Sequence, residues 1–491
     1  MKARTNRTGE APRLETNEAI PACGHKMSAR SLRDHLWTRE AADGLSRKQP
    51  QASARLGLNP GQVCALLVLG LGLVVLLVSN SVPAWGFGLG LGFASIIALR
   101  LYACCLDAGP QQLPAQAGHT LPRATILVAA YREAGVIGGL IEALKRIDYP
   151  RDRLEIKILL EADDTETWLA ALAAGLDPRF ELVRVPAGAP QTKPRALNFG
   201  LRRSRGEIVT ILDAEDHPHP GQLREAAEHF AAADPGLACL QAPLNWYNHS
   251  SCWLTRQFAL EYAAHFLVLL PAYIRLGWPI PLGGTSNYFR RDALRKVGAW
   301  DAFNVTEDAD LGFRLYRAGY RFGLITRPTL EEAPERSWPW IKQRTRWLKG
   351  YAQTLAVHTR MSGTHIRSVP WLALALTLGA AVASALLHLP LALFALGRVA
   401  SAGSPGLAEL AIFAFLIAGY GAAMACASLG MRRARLPFRL FDLITMPLYW
   451  PLQTIAALRA VWELIVRPFY WDKTEHGQTD AKACISTSRP P

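Results

Sequence analysis

The chain has no CxxC pair and no Cys/His spacing suited to zinc, which excludes a disulfide framework and a zinc-built fold. Its eight cysteines (Cys23, Cys64, Cys104, Cys105, Cys239, Cys252, Cys426 and Cys484) stand scattered, as free thiols of a reducing compartment do. Cys104 and Cys105, beside an apolar run, read as packing residues. No charged segment followed by a short apolar core and a cleavage site appears at Met1, which argues against a cleaved secretory signal. Residues 1–57 lack apolar periodicity and mix Arg, Lys, Glu, Ser, Pro and Gly. That composition does not offset the entropy of ordering a backbone, so a disordered cytoplasmic tail is expected. Acids are also in deficit, with 40 Asp and Glu against 54 Lys and Arg and a formal charge of +14 over 491 residues. Such an excess suits nucleic acid, anionic lipid or a nucleotide's phosphates. Long apolar runs decide for lipid and phosphate, with no nucleic acid.

Charge is missing altogether from residues 62–79, and from residues 84–101 until Arg100. Leu, Ile, Phe and Val each favour the bilayer centre by roughly 0.3 to 0.6 kcal/mol, so these runs predict two transmembrane helices joined by a hairpin at Asn80–Pro83. The hairpin carries no Lys or Arg, whereas Arg47, Lys48, Arg55 and Arg100 flank the other ends, which puts the tail and the downstream domain in the cytoplasm. Residues 371–396 and 407–429 form two more spans and return the chain to the cytoplasm at Arg432, Arg433 and Arg435. None holds the paired intramembrane charges of a transporter. Residues 439–467 carry Asp442, Pro447, Pro451, Arg459 and Glu463 among Leu, Tyr and Trp, which predicts an interfacial or broken helix rather than a full span. The resulting plan is a tail (1–57), two transmembrane helices (58–104), a cytoplasmic domain (121–350), two transmembrane helices plus the broken helix (351–467) and a C-terminal tail (468–491). It describes a multi-pass protein of the inner (plasma) membrane.

Between the spans, residues 125–130, 155–160, 181–185 and 207–212 read as strands, alternating with helices near 133–146, 165–174, 194–204 and 220–232. This alternation predicts an α/β domain with a mostly parallel sheet and helices on both faces. Ligands of such sheets bind beyond the carboxyl ends of the strands. Tyr131 and Glu133, Asp163 and Asp164, and Asp213, Glu215 and Asp216 stand there. Carboxylates at adjacent strand ends suit Mg²⁺ or Mn²⁺ bridging a diphosphate, while Asp163 and Asp164 before Thr165 suit an ordinary helix cap equally well. His217 and His219, spaced by prolines, suit an exposed turn better than a metal. Lys193 and Arg195 place two cations at the first turn of a helix, an arrangement that makes sense around an anion.

Farther on, Thr306, Glu307, Asp308 and Asp310 gather at the start of an amphipathic helix. Thr306 reads as its N-cap, and the helix dipole favours an ionised Asp308 as proton acceptor. Gly283 and Gly284 allow close approach to a ligand or simply make a turn. On a helix, Gln343, Arg346, Trp347 and Gly350 share one face, a sugar-stacking surface or a core anchor.

These ordered pieces resemble the processive family-2 glycosyltransferases, the inverting enzymes that include bacterial cellulose and hyaluronan synthases. The resemblance is nearest to those of exopolysaccharide and biofilm pathways, carried by the runs LEADDTET, KPRALN, NVTEDADLGFRL and QRTRWLKG. It implies a GT-A type, Rossmann-like domain flanked by transmembrane helices. It further implies a UDP-sugar donor, with Tyr131, Glu133, Asp163, Asp164, Lys193 and Asp213 toward the nucleotide sugar and Asp213 with Glu215 or Asp216 on the metal. Asp308 is then the base of the TED motif beside Glu307, and Gln343, Arg346 and Trp347 of QxxRW meet the acceptor. The gating sequence FxVTxK of cellulose synthases is absent, with Trp471–Gly477 at best its analogue, and no cyclic-dinucleotide-binding extension is seen. The acceptor expected from this resemblance is a growing β-linked polysaccharide, in company with other export or synthase subunits. Single addition to a lipid-linked acceptor and a non-catalytic role as membrane partner of a synthase are the alternatives.

Overall fold

Residues 29–57 are ordered, which corrects the expectation of a disordered tail for this part of it. The computed structural model describes residues 29–78, 84–107, 121–361, 369–401 and 406–470. Residues 1–28, the hairpin linker and the segment from Trp471 onward lie outside the described residues. Helix α1 (Ala29–Lys48) buries Ala41, Ala42 and Leu45, and the following turn buries Ala52 and Ala54. Asp301 receives this segment, accepting from the Ser53 hydroxyl at 3.0 Å and the Ala54 amide at 2.6 Å, and Arg360 donates to the Ser53 carbonyl at 2.8 Å. The segment has too little apolar surface to fold alone. The domain supplies a finished surface against which that little suffices.

Helix α2 (Pro60–Val78) stands nearly bare, with Leu66, Leu67, Leu69 and Leu71 each more than half exposed. Helix α3 (Ala84–Cys105) follows, and Cys104 Sγ lies 3.4 Å from Cys426 Sγ. The domain begins with β1 (Ala124–Ala130), α4 (Ile137–Lys145), β2 (Leu154–Glu161), α5 (Thr165–Ala173), β3 (Phe180–Val185), α6 (Lys193–Arg203) and β4 (Ile208–Leu212). Their apolar alternation buries both faces of the central strands, as a sheet covered by helices requires. Next come β5 (His217–Pro218), α7 (Gln222–Ala232), β6 (Leu237–Gln241), β7 (Leu244–Trp246), α8 (Trp253–Ala264), α9 (Leu270–Arg275), β8 (Asn287–Arg290), α10 (Arg291–Lys296), α11 (Glu307–Arg317), β9 (Arg321–Leu324) and β10 (Thr329–Glu331). Seven strands run in the order β3-β2-β1-β4-β8-β6-β9, parallel except for β8. A small second sheet, β5-β10-β7, lies beyond. The strand order reverses between β1 and β4, the crevice where ligands of open α/β sheets bind.

The remaining elements are α12 (Ser337–Arg360), α13 (Trp371–Leu374), α14 (Ala380–Ser401), α15 (Leu407–Arg433), α16 (Leu440–Ile444) and α17 (Met446–Val466). Three described stretches are long and apolar enough to cross a membrane: Trp253–Arg275, Trp371–Gly397 and Phe413–Arg433. The last two correspond to the expected C-terminal spans. Trp253–Arg275 was not expected, and 56% of its most apolar window is buried inside the protein. The N-terminal runs contribute shorter apolar helices, Pro60–Gly72 and Gly90–Cys105. The segment expected to break does so at Thr445, between α16 and α17. Helix α17 is locked to α12 by a buried pair, Lys349 Nζ to Glu463 Oε2 at 2.8 Å, and Arg459 and Arg467 also reach Glu463.

Candidate active site

At the crevice, β1 delivers Tyr131 and β4 delivers Asp213, while the loop before β8 passes Gly284 between them and the N-terminus of α11. A Cβ added at Gly284 would lie 3.2 Å from Asp308 Oδ2 and 4.0 Å from both Asp213 Oδ2 and Lys193 Nζ. Carboxylates distant in sequence therefore converge on one glycine. Lys193 Nζ donates to the Gly284 carbonyl at 2.7 Å and pairs with Asp213. A side chain there would crowd Asp308 most, at 3.2 Å, and touch the other two groups.

That space is a cavity of about 740 Å³. Tyr131, Glu133, Lys193, Asp213, Glu215, Glu307, Asp308, Gln343, Arg346 and Trp347 all line it, so ten of the expected site residues are brought together. Gln343 is 5% exposed, and its buried Oε1 has no hydrogen-bond partner among the described residues. Trp347 packs one face on Tyr262, with ring centroids 6.0 Å apart, and is both anchor and lining.

Three expectations need correction. Asp164 does not line the cavity: its carboxylate accepts from the Arg132 amide at 2.5 Å and from the Thr167 amide at 3.2 Å. It is the helix cap of α5 and holds Arg132 at a positive φ of 56°. Asp163 sits at the rim, accepting from Tyr131 and Gln191, each at 3.2 Å. Asp216 is fully buried beneath the loop, accepting from the Asp213 amide at 2.7 Å and from the Thr285 hydroxyl. Glu215, not Asp216, is the carboxylate that lines the cavity beside Asp213. Arg195 is likewise buried, paired with Glu161 at 2.5 Å, so Lys193 alone faces the site. His219 agrees with the turn reading, its Nδ1 accepting from the Gly221 amide at 3.1 Å, whereas His217 departs from it, half-buried on β5 and paired with Leu330 of β10.

Burial dominates the electrostatics. It lifts the Asp308 carboxyl to about 6 against the opposing pull of the Ala309 amide and Lys193, and lifts Glu307 to about 8 with help from Asp308. The dipole alone would have acted in the opposite direction. Thr306 occupies the N-cap of α11 without a side-chain cap, and Asn304 Oδ1 accepts from the Thr306 amide at 3.0 Å instead. Burial also works against the charge on Lys193, yet Asp213, Glu307 and Asp308 together hold it above the ordinary lysine range.

Two groups escaped sequence reasoning. Glu331 on β10 lines the cavity, and its carboxyl is pushed well above the usual range by burial and by Asp216, Asp213 and Glu215; its Oε1 has no hydrogen-bond partner among the described residues. Nothing local marks it, because only the pairing of β10 with β5 and β7 brings it there. Arg344 chelates Glu261 with both terminal nitrogens at 2.7 and 2.6 Å, and Tyr449 donates to the same carboxylate at 2.8 Å. A carboxylate inside the apolar run of α8 was the available signal.

A divalent cation fits this chemistry. No group of three or more His, Cys, Asp or Glu at metal-holding spacing occurs among the described residues. Asp213 and Glu215 would supply two carboxylates, with water and phosphate oxygens completing the shell, the usual mode for Mg²⁺ at phosphate sites. The surplus negative charge that raises Glu331 and Asp216 is what a cation would relieve.

Residues 208–426 match the glycosyl transferase family group 2. The stretch includes the acid cluster, α12 and most of α15. The chain is 31% identical over 271 residues to the beta-monoglucosyldiacylglycerol synthase of Synechocystis sp., covering 53% of this chain and 54% of that protein. It is 28% identical over 268 residues to a probable glucomannan 4-beta-mannosyltransferase of Oryza sativa, covering 52% and 45%. The chain thus spans about half the length of the curated relatives it matches. A mannosyltransferase of Pyrobaculum calidifontis, solved in complex with GDP-Man and Mn²⁺, superposes with a TM-score of 0.50 at 23% identity, covering 76% of this chain and 99% of that one. That likeness shows the GT-A-like α/β fold.

Proposed function

We propose that this protein is a multi-pass membrane glycosyltransferase that transfers one sugar from a UDP-sugar to the hydroxyl of a lipid acceptor, with inversion at the anomeric carbon. The observation that carries the reading is the continuity of one cavity: the space holding Asp308 and Asp213 is also walled by Ile97 of α3, Ala381 of α14 and Leu416 of α15. An acceptor with a polar head and an apolar body matches such a space. The bare apolar surface of α2 supports embedding in a bilayer, since a helix apolar all round has no stable place in water.

In this reading Asp308 removes the proton from the acceptor hydroxyl, whose oxygen attacks the anomeric carbon as the bond to the diphosphate breaks. Tyr131, Glu133 and Lys193 orient the donor, and Lys193 and Arg346 face the charge that grows on the leaving UDP. Asp213 and Glu215 would hold Mg²⁺ or Mn²⁺, which would supply charge compensation at the diphosphate. Gln343 and Trp347 position the acceptor head. Glu307, protonated at neutral pH, donates rather than accepts.

A polysaccharide acceptor is the second reading, favoured by the cavity-lining placement of Gln343, Arg346 and Trp347, the residues that carry the resemblance to processive enzymes. Membranes containing the protein, incubated with labelled UDP-sugars and Mg²⁺ or Mn²⁺, are expected to yield label that partitions into organic solvent as a lipid-linked monosaccharide. High-mass, water-soluble label would replace this reading with the polymer one.

A further inference from the structure

Below the acid cluster the cavity continues among the helices, and its walls there are traceable. On the apolar stretch Trp371–Gly397, which runs through α13 into α14, the lining extends from Leu376 to His388, a rise of about 18 Å at about 1.5 Å per residue. On α15 it runs from Cys426 to Phe415, about 16 Å, and on α3 from Arg100 to Phe93, about 10 Å. Helices α14 and α15 both extend beyond the chamber. Helix α14 continues to Ser401 and α15 starts at Leu407, yet among the described residues none of α14 past His388 and none of α15 before Phe415 lines the space. The depth is close to one leaflet, half the roughly 30 Å hydrocarbon core. A conduit for a polymer would continue through.

At its far end three rings from three helices meet. The imidazole of His388 (α14) lies with its centroid 5.7 Å from that of Tyr420 (α15) and 5.1 Å from that of Trp450 (α17), and Tyr420 and Trp450 are 5.0 Å apart. His388 Nε2 and the Tyr420 hydroxyl are 3.4 Å apart, so the two polar groups face each other rather than the chamber. Around and above them Ile97, Ala381, Ala385, Leu416 and Gly419 give the walls an apolar cast, with Thr377 and Ser384 among them.

We infer that this chamber is a blind seat for an apolar chain of the lipid acceptor, and that His388, Tyr420 and Trp450 form the floor that sets the chain length accepted. The inference rests on the lipid-acceptor reading above and adds a specificity determinant to it. A chain whose terminal methyl reaches the rings places the head at Asp308. A longer chain lifts the head out of reach, and a shorter one leaves apolar wall uncovered.

The test uses the full-length protein in detergent micelles with labelled UDP-glucose and diacylglycerols of graded chain length, read as the ratio of kcat/KM for long against short acceptors so that a general loss of activity cancels. Trp450→Ala, which deepens the chamber, should move the ratio toward longer chains by about tenfold or more, the discrimination that methylene-sized changes in an apolar pocket support. Ala381→Phe and Gly419→Leu, which make it shallower, should move it the other way. Should Trp450→Ala fail to fold, the two filling variants carry the test. A chain-length profile identical to wild type in the folded variants overturns the floor while leaving the lipid acceptor standing. Transfer to saccharide with no glycolipid at any chain length overturns the acceptor reading and the floor with it.

Discussion

In the proposed mechanism Asp308 is a base made by burial and offset by neighbours. Its carboxyl, lifted to about 6, remains ionised at neutral pH but close enough to the working range to accept a proton readily. Because the base acts in its ionised form and its value is raised, transfer should fall as pH drops through about 6, measured as kcat/KM against pH with saturating metal. Asp308→Asn should reduce kcat by about 10² to 10⁴ and abolish that acid limb while UDP still binds, checked by calorimetry. An Asn variant that retains the limb would assign it to another group. Glu307 depends on the same surroundings: burial and the adjacent Asp308 hold its proton up to about 8.

Among the elements, α12 does the most to join chemistry to scaffold. One face gives Gln343, Arg346 and Trp347 to the cavity, and Gly350 lies so close to α11 that a Cβ there would overlap the Thr306 hydroxyl. The opposite side is tied to α17 through Lys349 and Glu463, which are 0% and 1% exposed at the side chain. Glu463→Gln removes a carboxylate that Lys349, Arg459 and Arg467 all reach, and breaking a buried ion pair by removing one member costs about 3 to 5 kcal/mol. A lowered Tm in detergent is the expected result. A Tm equal to wild type would mean that water or lipid headgroups reach the three cations.

At the scale of the whole molecule, the N-terminal segment and the C-terminal helices act as outer supports for the catalytic domain. The Asn198 amide donates to the Ala41 carbonyl at 2.9 Å and to the Trp300 carbonyl at 2.8 Å, so α1 braces the helix that begins at Lys193. Deleting residues 29–57 should therefore lower Tm and weaken donor binding, read as a raised KM for the UDP-sugar. Unchanged donor kinetics in the truncated protein would separate α1 from the site.

Periodicity was enough to mark the first four strands and the helices between them, because each buries a face whose spacing is written locally. The TED and QxxRW residues were legible for the same reason, standing at helix positions that project to one side. The division of labour among carboxylates was not. Asp164 and Asp216 look like ligands in a string of acids, and only the backbone amides they accept from make them structural. Glu331 reaches the site through strand pairing across more than a hundred residues, and Gly284 acquires its meaning from three side chains that no local rule unites. Hydrophobic spacing acts between neighbours along the chain and so survives in the sequence, whereas which polar atom faces the ligand and which faces the backbone depends on packing from every side, and the tertiary structure decided it.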